Sequence, residues 1–420
     1  MEAGIHYIPR TIEPVLQAAA GEFPAVVLTG PRQAGKTTTL KHLFGATHDY
    51  VSLEAPDTRE LATADPRAFL RLHKPPVILD EVQQTPDLLA YVQEAIDEHR
   101  ERNGQFVMSG SQNLLLLQHV SESLAGRASV LRLLPLTLRE WGGVPSRPLP
   151  WQHPPQSSAP PQLTELTEPD ALWRYLLRGG FPGIASSGQE SWLRWHQSYV
   201  QTYLERDVRA VRQVGDLQTF QTFVRLVAAR SAQLLNMTGL ANELGLSLNT
   251  VKAWISVLHA SYQIALLQPY HANVSKRLTR HPKLYFTDTG TLCYLVGLRD
   301  PLHAMRGPMA GAIVETAVVA ELLKTYLHRG EEPRLWFWRT ARGSEVDIVV
   351  EDQMELHPVE VKAAATPRPG MANGIRAMRR TLLGATNARA PVVRPGWVVY
   401  TGRSVAALGD DVVALPLPLL

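Results

Sequence analysis

A chain of 420 residues with 42 Lys and Arg against 39 Asp and Glu carries a formal charge of +3; 19% of its residues are charged and 45% hydrophobic. That profile excludes a disordered or collagenous chain and a wholly basic nucleic-acid scaffold, though not a local basic patch. At about 100 to 200 residues per domain, the length predicts two to four domains. The single cysteine, Cys293, excludes an intrachain disulfide and a cysteine-based zinc framework, which points to a reducing, cytoplasmic setting. Met1 to Gly21 lacks the apolar stretch of a leader, and no run approaches the roughly 18 apolar residues of a membrane span, so no membrane contact is expected.

Residues 1–143 alternate short apolar runs (Ala25–Thr29, Tyr50–Leu53, Val77–Leu79, Phe106–Met108, Val130–Leu133) with helical patterns such as Leu88–His99, the rhythm of βαβ units on a parallel sheet. After the first run, Gly30-Pro31-Arg32-Gln33-Ala34-Gly35-Lys36-Thr37 fits G-x-x-x-x-G-K-[ST], and Thr38 leads into a helix. The glycines let backbone amides turn toward phosphates, Lys36 sets a charge between the β- and γ-phosphates, and Thr37 supplies a hydroxyl for Mg²⁺. The third run ends in Asp80 and Glu81; Asp80 is expected to help hold Mg²⁺ and Glu81 to take a proton from an attacking water, which favours ATP hydrolysis over transfer to a small molecule. Ser109 to Asn113 follow the next run as a candidate γ-phosphate sensor, and Arg127 is a candidate arginine finger acting on a neighbour's nucleotide.

Eight prolines between Val144 and Pro169 mark residues 144–169 as a linker or insertion. Residues 170–230 read as a helical lid, with Trp192, Trp195, Tyr199, Tyr203 and Leu204 at helical spacing. In 231–300, Ala241, Gly245, Ser247, Val251 and Trp254 have the spacing of a helix-turn-helix. Its second helix offers Asn249, Thr250, Lys252 and Ser256, and Lys276, Arg277, Arg280 and Lys283 follow as candidate wing contacts to DNA phosphates. In 301–420, Asp347 and the Glu360-Val361-Lys362 run place two carboxylates and an ammonium on one sheet edge; Glu315, on a preceding helix, completes a set able to bind a nuclease Mg²⁺. Trp173, Trp192, Trp195, Trp336 and Trp338 are expected in cores, and the 14 histidines show no zinc spacing.

The blocks Leu28–Thr38, Ile78–Gln83, Ser109–Gln112, Leu124–Arg127 and Leu134–Trp141, followed by Tyr175–Pro182, Tyr203–Asp207, Lys283–Gly290, Glu345–Asp347 and Val359–Lys362, resemble the prokaryotic AAA-type ATPases that carry a C-terminal domain of unknown function. The resemblance covers nearly the whole chain; the proline-rich insertion, and Ser109 where threonine is commoner, are departures. It implies an α/β, multidomain fold: an AAA-type P-loop core with helical lid, a winged helix and a restriction-endonuclease-like α/β domain. It also implies ATP and Mg²⁺ as cofactors and assembly of a homo-oligomer, a hexameric ring being one form. The function expected is ATP hydrolysis coupled to DNA binding, remodelling or processing. The competing expectations are an ATP-driven switch acting on a protein partner through an inactive nuclease-like domain, and a nuclease gated by ATP.

Overall fold

Along β1 (Ala25–Thr29), period two sends Ala25 and Val27 to one face and Val26 and Leu28 to the other, and all four are fully buried. The computed structural model describes residues 7–111, 120, 123–153, 161–185, 191–204, 217–270, 281–340, 343–383, 391–409 and 411–420. In it, one face of β1 packs with Leu79, Val92 and Met108, the other with Ile12, Leu16, Leu40 and Val107. A sheet covered on both sides explains why its strands are apolar runs rather than alternations. The strands β2 (Asp49–Ser52), β3 (Val77–Asp80), β4 (Phe106–Gly110) and β5 (Ala128–Arg132) complete it in the order β2-β3-β4-β1-β5, all parallel. Open parallel sheets gather ligands in the crevice beyond the carboxyl ends of their strands. Gly30, Glu81 and Ser111 follow directly on those ends.

A second, mixed sheet holds the rest of the chain together. Its path runs β14 (Ala406–Ala407), β15 (Val412–Pro416), β13 (Gly396–Tyr400), β11 (Glu355–Lys362), β10 (Glu345–Asp352), β9 (Leu335–Arg339), β7 (Ile264–Pro269), β8 (Lys283–Phe286) and β6 (Gln233–Leu234), with β12 (Val392–Val393) beside β11. The boundary expected at residue 300 falls inside this sheet, because β7 pairs in parallel with β9 through Gln268 with Trp336 and Pro269 with Phe337. One apolar core extends from Leu138 to Leu420, beside a second that holds Trp338, Val346 and Val398. The helix Ala310–His328 runs through the first and is buried nearly all round, Glu321, Lys324 and His328 included.

The proline-rich stretch is tied to that core: Leu149 and Leu163 have no exposed surface, although residues 154–160 lie outside those described. The helices Met237–Leu244 and Leu248–Ala260 are capped by Asn236 and Ser247 and separated at Gly245, where φ is 64°. Trp254 is met edge-on by Phe220 and Phe223, both at 5.1 Å between ring centroids. All five tryptophans expected in cores pack there, Trp195 and Trp336 only partly buried. Among the described residues, no helix is long and apolar enough to cross a membrane.

Candidate active site

β1 delivers the chain to a loop that only glycine can begin. Gly30 has φ 151°, and a Cβ there would stand 2.0 Å from the carbonyl oxygen of Leu133, so a side chain would break either the loop or β5's exit. The loop closes at Gly35 (φ 95°), which opens the helix Lys36–Phe44. Lys36 is buried and donates to the carbonyls of Gly30 (3.0 Å) and Pro31 (2.9 Å). Thr37 Oγ1 donates to both oxygens of Asp80, at 3.0 and 2.9 Å. A hydroxyl and a carboxylate held together at a helix start are hard oxygen donors, and they fit a magnesium ion.

Asp80 accepts further hydrogen bonds from Tyr50 (2.8 Å) and from Ser109, which its position at the end of β4 brings alongside β3. Lys41 stands 3.4 Å from the centre of the Tyr50 ring. Burial, reinforced by Asp80, pushes the Tyr50 hydroxyl up to about 12, so it stays protonated as a donor. Glu81 follows in a left-handed conformation (φ 60°), and its Oε2 accepts from Gln83 and from Ser111 Oγ at 3.0 Å. The cleft over these groups has a volume of about 560 Å³, within the range of small-molecule sites. Tyr7 and Arg10 form one wall, and Pro182 and Gly183 close over the loop. The turn carrying Pro182 is pinned from both sides: Leu136 N–H donates to Gly180 O (2.7 Å) and Gly180 N–H to Asp288 Oδ1 (2.7 Å).

A larger cleft of about 790 Å³, lined by Arg67, Arg71 and Lys74, lies at the amino ends of β3 and β4, remote from the phosphate loop. Arg127 lies at that same end. Its carbonyl accepts from Ala25 N–H at the start of β1, and its guanidinium makes a two-point ion pair with Asp97 (2.8 and 2.9 Å). It therefore does not reach the nucleotide cleft of its own chain. Of the candidate sensor segment, Ser109 and Ser111 join the site, while Gln112 and Asn113 lie outside the described residues.

The C-terminal carboxylates form a separate cluster. Lys362 Nζ donates to Glu360 Oε1 (2.6 Å) and lies 3.9 Å from Asp347, whose Oδ2 accepts from Val361 N–H (2.8 Å). Glu315 accepts from Tyr285 (2.6 Å) and Lys283 (3.0 Å), and Lys283 also meets Glu345 at 2.5 Å. Glu315 and Glu360 are both pushed up to about 7 by burial and by the neighbouring Asp347, against the pull of the lysines. Burial alone would depress Lys283, but Glu315, Asp347 and Glu345 outweigh it and raise its value. Among the described residues, Glu360 Oε2 is buried without a hydrogen-bond partner.

The four expected nuclease residues, Glu315, Asp347, Glu360 and Lys362, are thus brought into one cluster, which Lys283 also enters. Among the described residues no group of three or more His, Cys, Asp or Glu side chains is placed to hold a metal ion by itself. The expectation of Lys283 as a DNA contact is corrected: it is 5% exposed, on a strand whose four residues are all buried, and it shares a face with Tyr285. Lys252 is exposed on the outer face of its helix with Asn249 and Ser256; Lys276, Arg277 and Arg280 lie outside the described residues.

Family models match three stretches of the chain. Residues 22–142 match an AAA domain, 169–302 a domain of unknown function (DUF8612) and 310–420 another (DUF4143). The uncharacterized protein Rv2008c of Mycobacterium tuberculosis and its counterpart Mb2031c of Mycobacterium bovis are each 32% identical over 403 residues, covering 96% of this chain and 82% of theirs. Overlap with solved structures is partial. A Walker-type ATPase of Pyrococcus abyssi gives a TM-score of 0.45 at 15% identity, covering 69% of this chain and 99% of that one. A RuvB variant of Thermotoga maritima gives 0.32 at 17%, covering 60% and 88%.

Proposed function

Because the chain belongs to the family of the mycobacterial protein Rv2008c and carries an AAA-type P-loop ATPase domain, we propose that it is a Mg²⁺-dependent ATP hydrolase that couples hydrolysis to DNA. The observation that carries the hydrolase reading is the convergence of Lys36, Thr37, Asp80 and Glu81 in one cleft. Lys36 exchanges its two loop carbonyls for phosphate oxygens when nucleotide enters. Thr37 and Asp80 would hold Mg²⁺, which when bound offsets phosphate charge. Glu81, kept in place by Ser111 and Gln83, orients a water and takes its proton. Tyr50 fixes the rotamer of Asp80 from behind. Tyr50→Phe is accordingly expected to keep its turnover at saturating Mg²⁺ while the concentration for half-maximal rate rises about tenfold, as for loss of an outer-shell partner; a Mg²⁺ titration of phosphate release measures this.

DNA coupling is supported by the exposed Asn249, Lys252 and Ser256 on a capped second helix. In this reading the chain assembles as a homo-oligomer, and Arg127 acts only across a subunit interface, giving up Asp97 for a neighbour's nucleotide. A second reading, a switch acting on a protein partner, is favoured by Lys283, which is withdrawn from the surface into the carboxylate cluster. Phosphate release measured with duplex, single-stranded and four-way-junction DNA at two salt concentrations separates them. Stimulation by one DNA form that weakens with salt is expected for a DNA-coupled enzyme, and unchanged turnover on every form moves the function to a protein partner.

A further inference from the structure

We propose that Arg10 is a positioning residue for the phosphate loop, and that it is anchored by His328, the last residue of the long C-terminal helix Ala310–His328. This rests on reading the cleft as a nucleotide site. Arg10 is only 4% exposed, yet it lines that cleft. Its Nη1 donates to the carbonyl of Ala34 (2.9 Å), inside the loop, and its Nη2 to the carbonyl of Leu134 (2.7 Å), beyond the end of β5. β1 and β5 are parallel neighbours, Thr29 opposite Arg132, so one planar guanidinium ties together the two segments that leave adjacent strands. In a trans peptide the C=O and N–H point opposite ways, so holding the Ala34 carbonyl fixes the direction of the Gly35 N–H, one of the amides a phosphate would meet.

The anchor is a buried network of charge. Arg10 Nε lies 3.2 Å from Glu140 Oε1, and both side chains are all but inaccessible. Burial would raise the Glu140 carboxyl, but Arg10, His328 and the Thr137 N–H hold it well below the usual carboxylate range. Glu140 Oε1 also accepts from Thr11 N–H (2.8 Å) and lies 3.1 Å from His328 Nδ1, while Oε2 accepts from Thr137 N–H (2.9 Å). The other ring nitrogen of His328 is 3.0 Å from Leu134 N. A backbone N–H can only donate, so Nε2 is the acceptor and the proton sits on Nδ1, directed at Glu140. A neutral ring suits the site, since burial pushes the His328 value down. Leu134 is thereby gripped twice, its N–H by His328 and its C=O by Arg10.

The test is titration of fluorescent MgADP into wild type, Arg10→Lys, His328→Gln and the double variant, with thermal melts in the absence of nucleotide. Arg10→Lys keeps the charge beside Glu140 but cannot span two carbonyls; His328→Gln cannot serve Leu134 and Glu140 together. Each single change is expected to raise the ADP Kd about tenfold, the scale of one charge-assisted hydrogen bond, with a cooperative melt retained. The double variant is expected to bind no more weakly than the weaker single, because both changes cut one chain of contacts. Unchanged affinity in either folded single overturns the proposal. So do effects that multiply to about a hundredfold, or loss of the cooperative melt in both singles, which assigns the network to stability alone. Wild type that binds no ADP takes down the nucleotide reading as well, whereas wild type and variants binding alike removes only the role of Arg10.

Discussion

Glu81→Gln is expected to bind MgATP as tightly as wild type and to hydrolyse it about 10² to 10⁴ times more slowly, the range for loss of a positioned general base. The substitution keeps shape and hydrogen-bonding reach while removing basicity. Glu81 is suited to this test because its place is fixed twice over, by a left-handed backbone at φ 60° and by the hydrogen bonds from Gln83 and Ser111. A glutamine there can still accept from Ser111, so the cleft keeps its form. Phosphate release under single-turnover conditions, beside equilibrium binding of a fluorescent ATP, separates the two quantities. A parallel loss of affinity assigns Glu81 to nucleotide binding instead.

Lys283→Met is expected to destabilise the fold by roughly 3–5 kcal/mol, the range for breaking a buried ion pair by removing one partner. Its ammonium is the shared counter-ion of Glu315 and Glu345, at 3.0 and 2.5 Å. What remains after its loss is the Tyr285 hydroxyl on Glu315 and the more distant Arg339, 3.6 Å from Glu345. The penalty depends on pH. Glu315 already sits up at about 7 in the folded chain against about 4.3 unfolded, and loss of the lysine raises it further. A carboxyl raised in the folded state costs stability as the pH climbs from its unfolded value through its folded one; wild type and variant share that cost up to about pH 7, so the deficit of the variant grows above it, between pH 7 and about pH 8. Urea denaturation at those two pH values reads it out; a deficit that shrinks with rising pH contradicts the placement of Lys283.

The phosphate loop and the Asp80-Glu81 pair were legible because each is a contiguous run in which chemistry follows from spacing and from the strand before it. The caps at Ser247 and Gly245 were legible for the same local reason. Tyr50 and Arg10 were not, since their roles arise from the strand order β2-β3-β4-β1-β5 and from packing against a helix far along the chain. One misplacement had a signal in the sequence, as did the end of the sheet on which Arg127 lies. Lys283 stands among Arg277, Arg280 and His281 and looks like part of a solvated hairpin, yet it shares a face with Tyr285 on β8, and both side chains bond Glu315. Arg127 directly precedes β5, and strand polarity alone places such a residue at the amino end of a parallel sheet, opposite the phosphate loop. The leucines within the proline-rich stretch, Leu149 and Leu163, mark it as packed rather than free.

Phosphate release from MgATP by the purified wild-type chain, run beside Glu81→Gln from the same preparation, tests the central claim most directly. Turnover by wild type that disappears in the variant while ATP binding persists is the result the site geometry predicts. Binding without turnover in wild type, or equal turnover in both proteins, contradicts it.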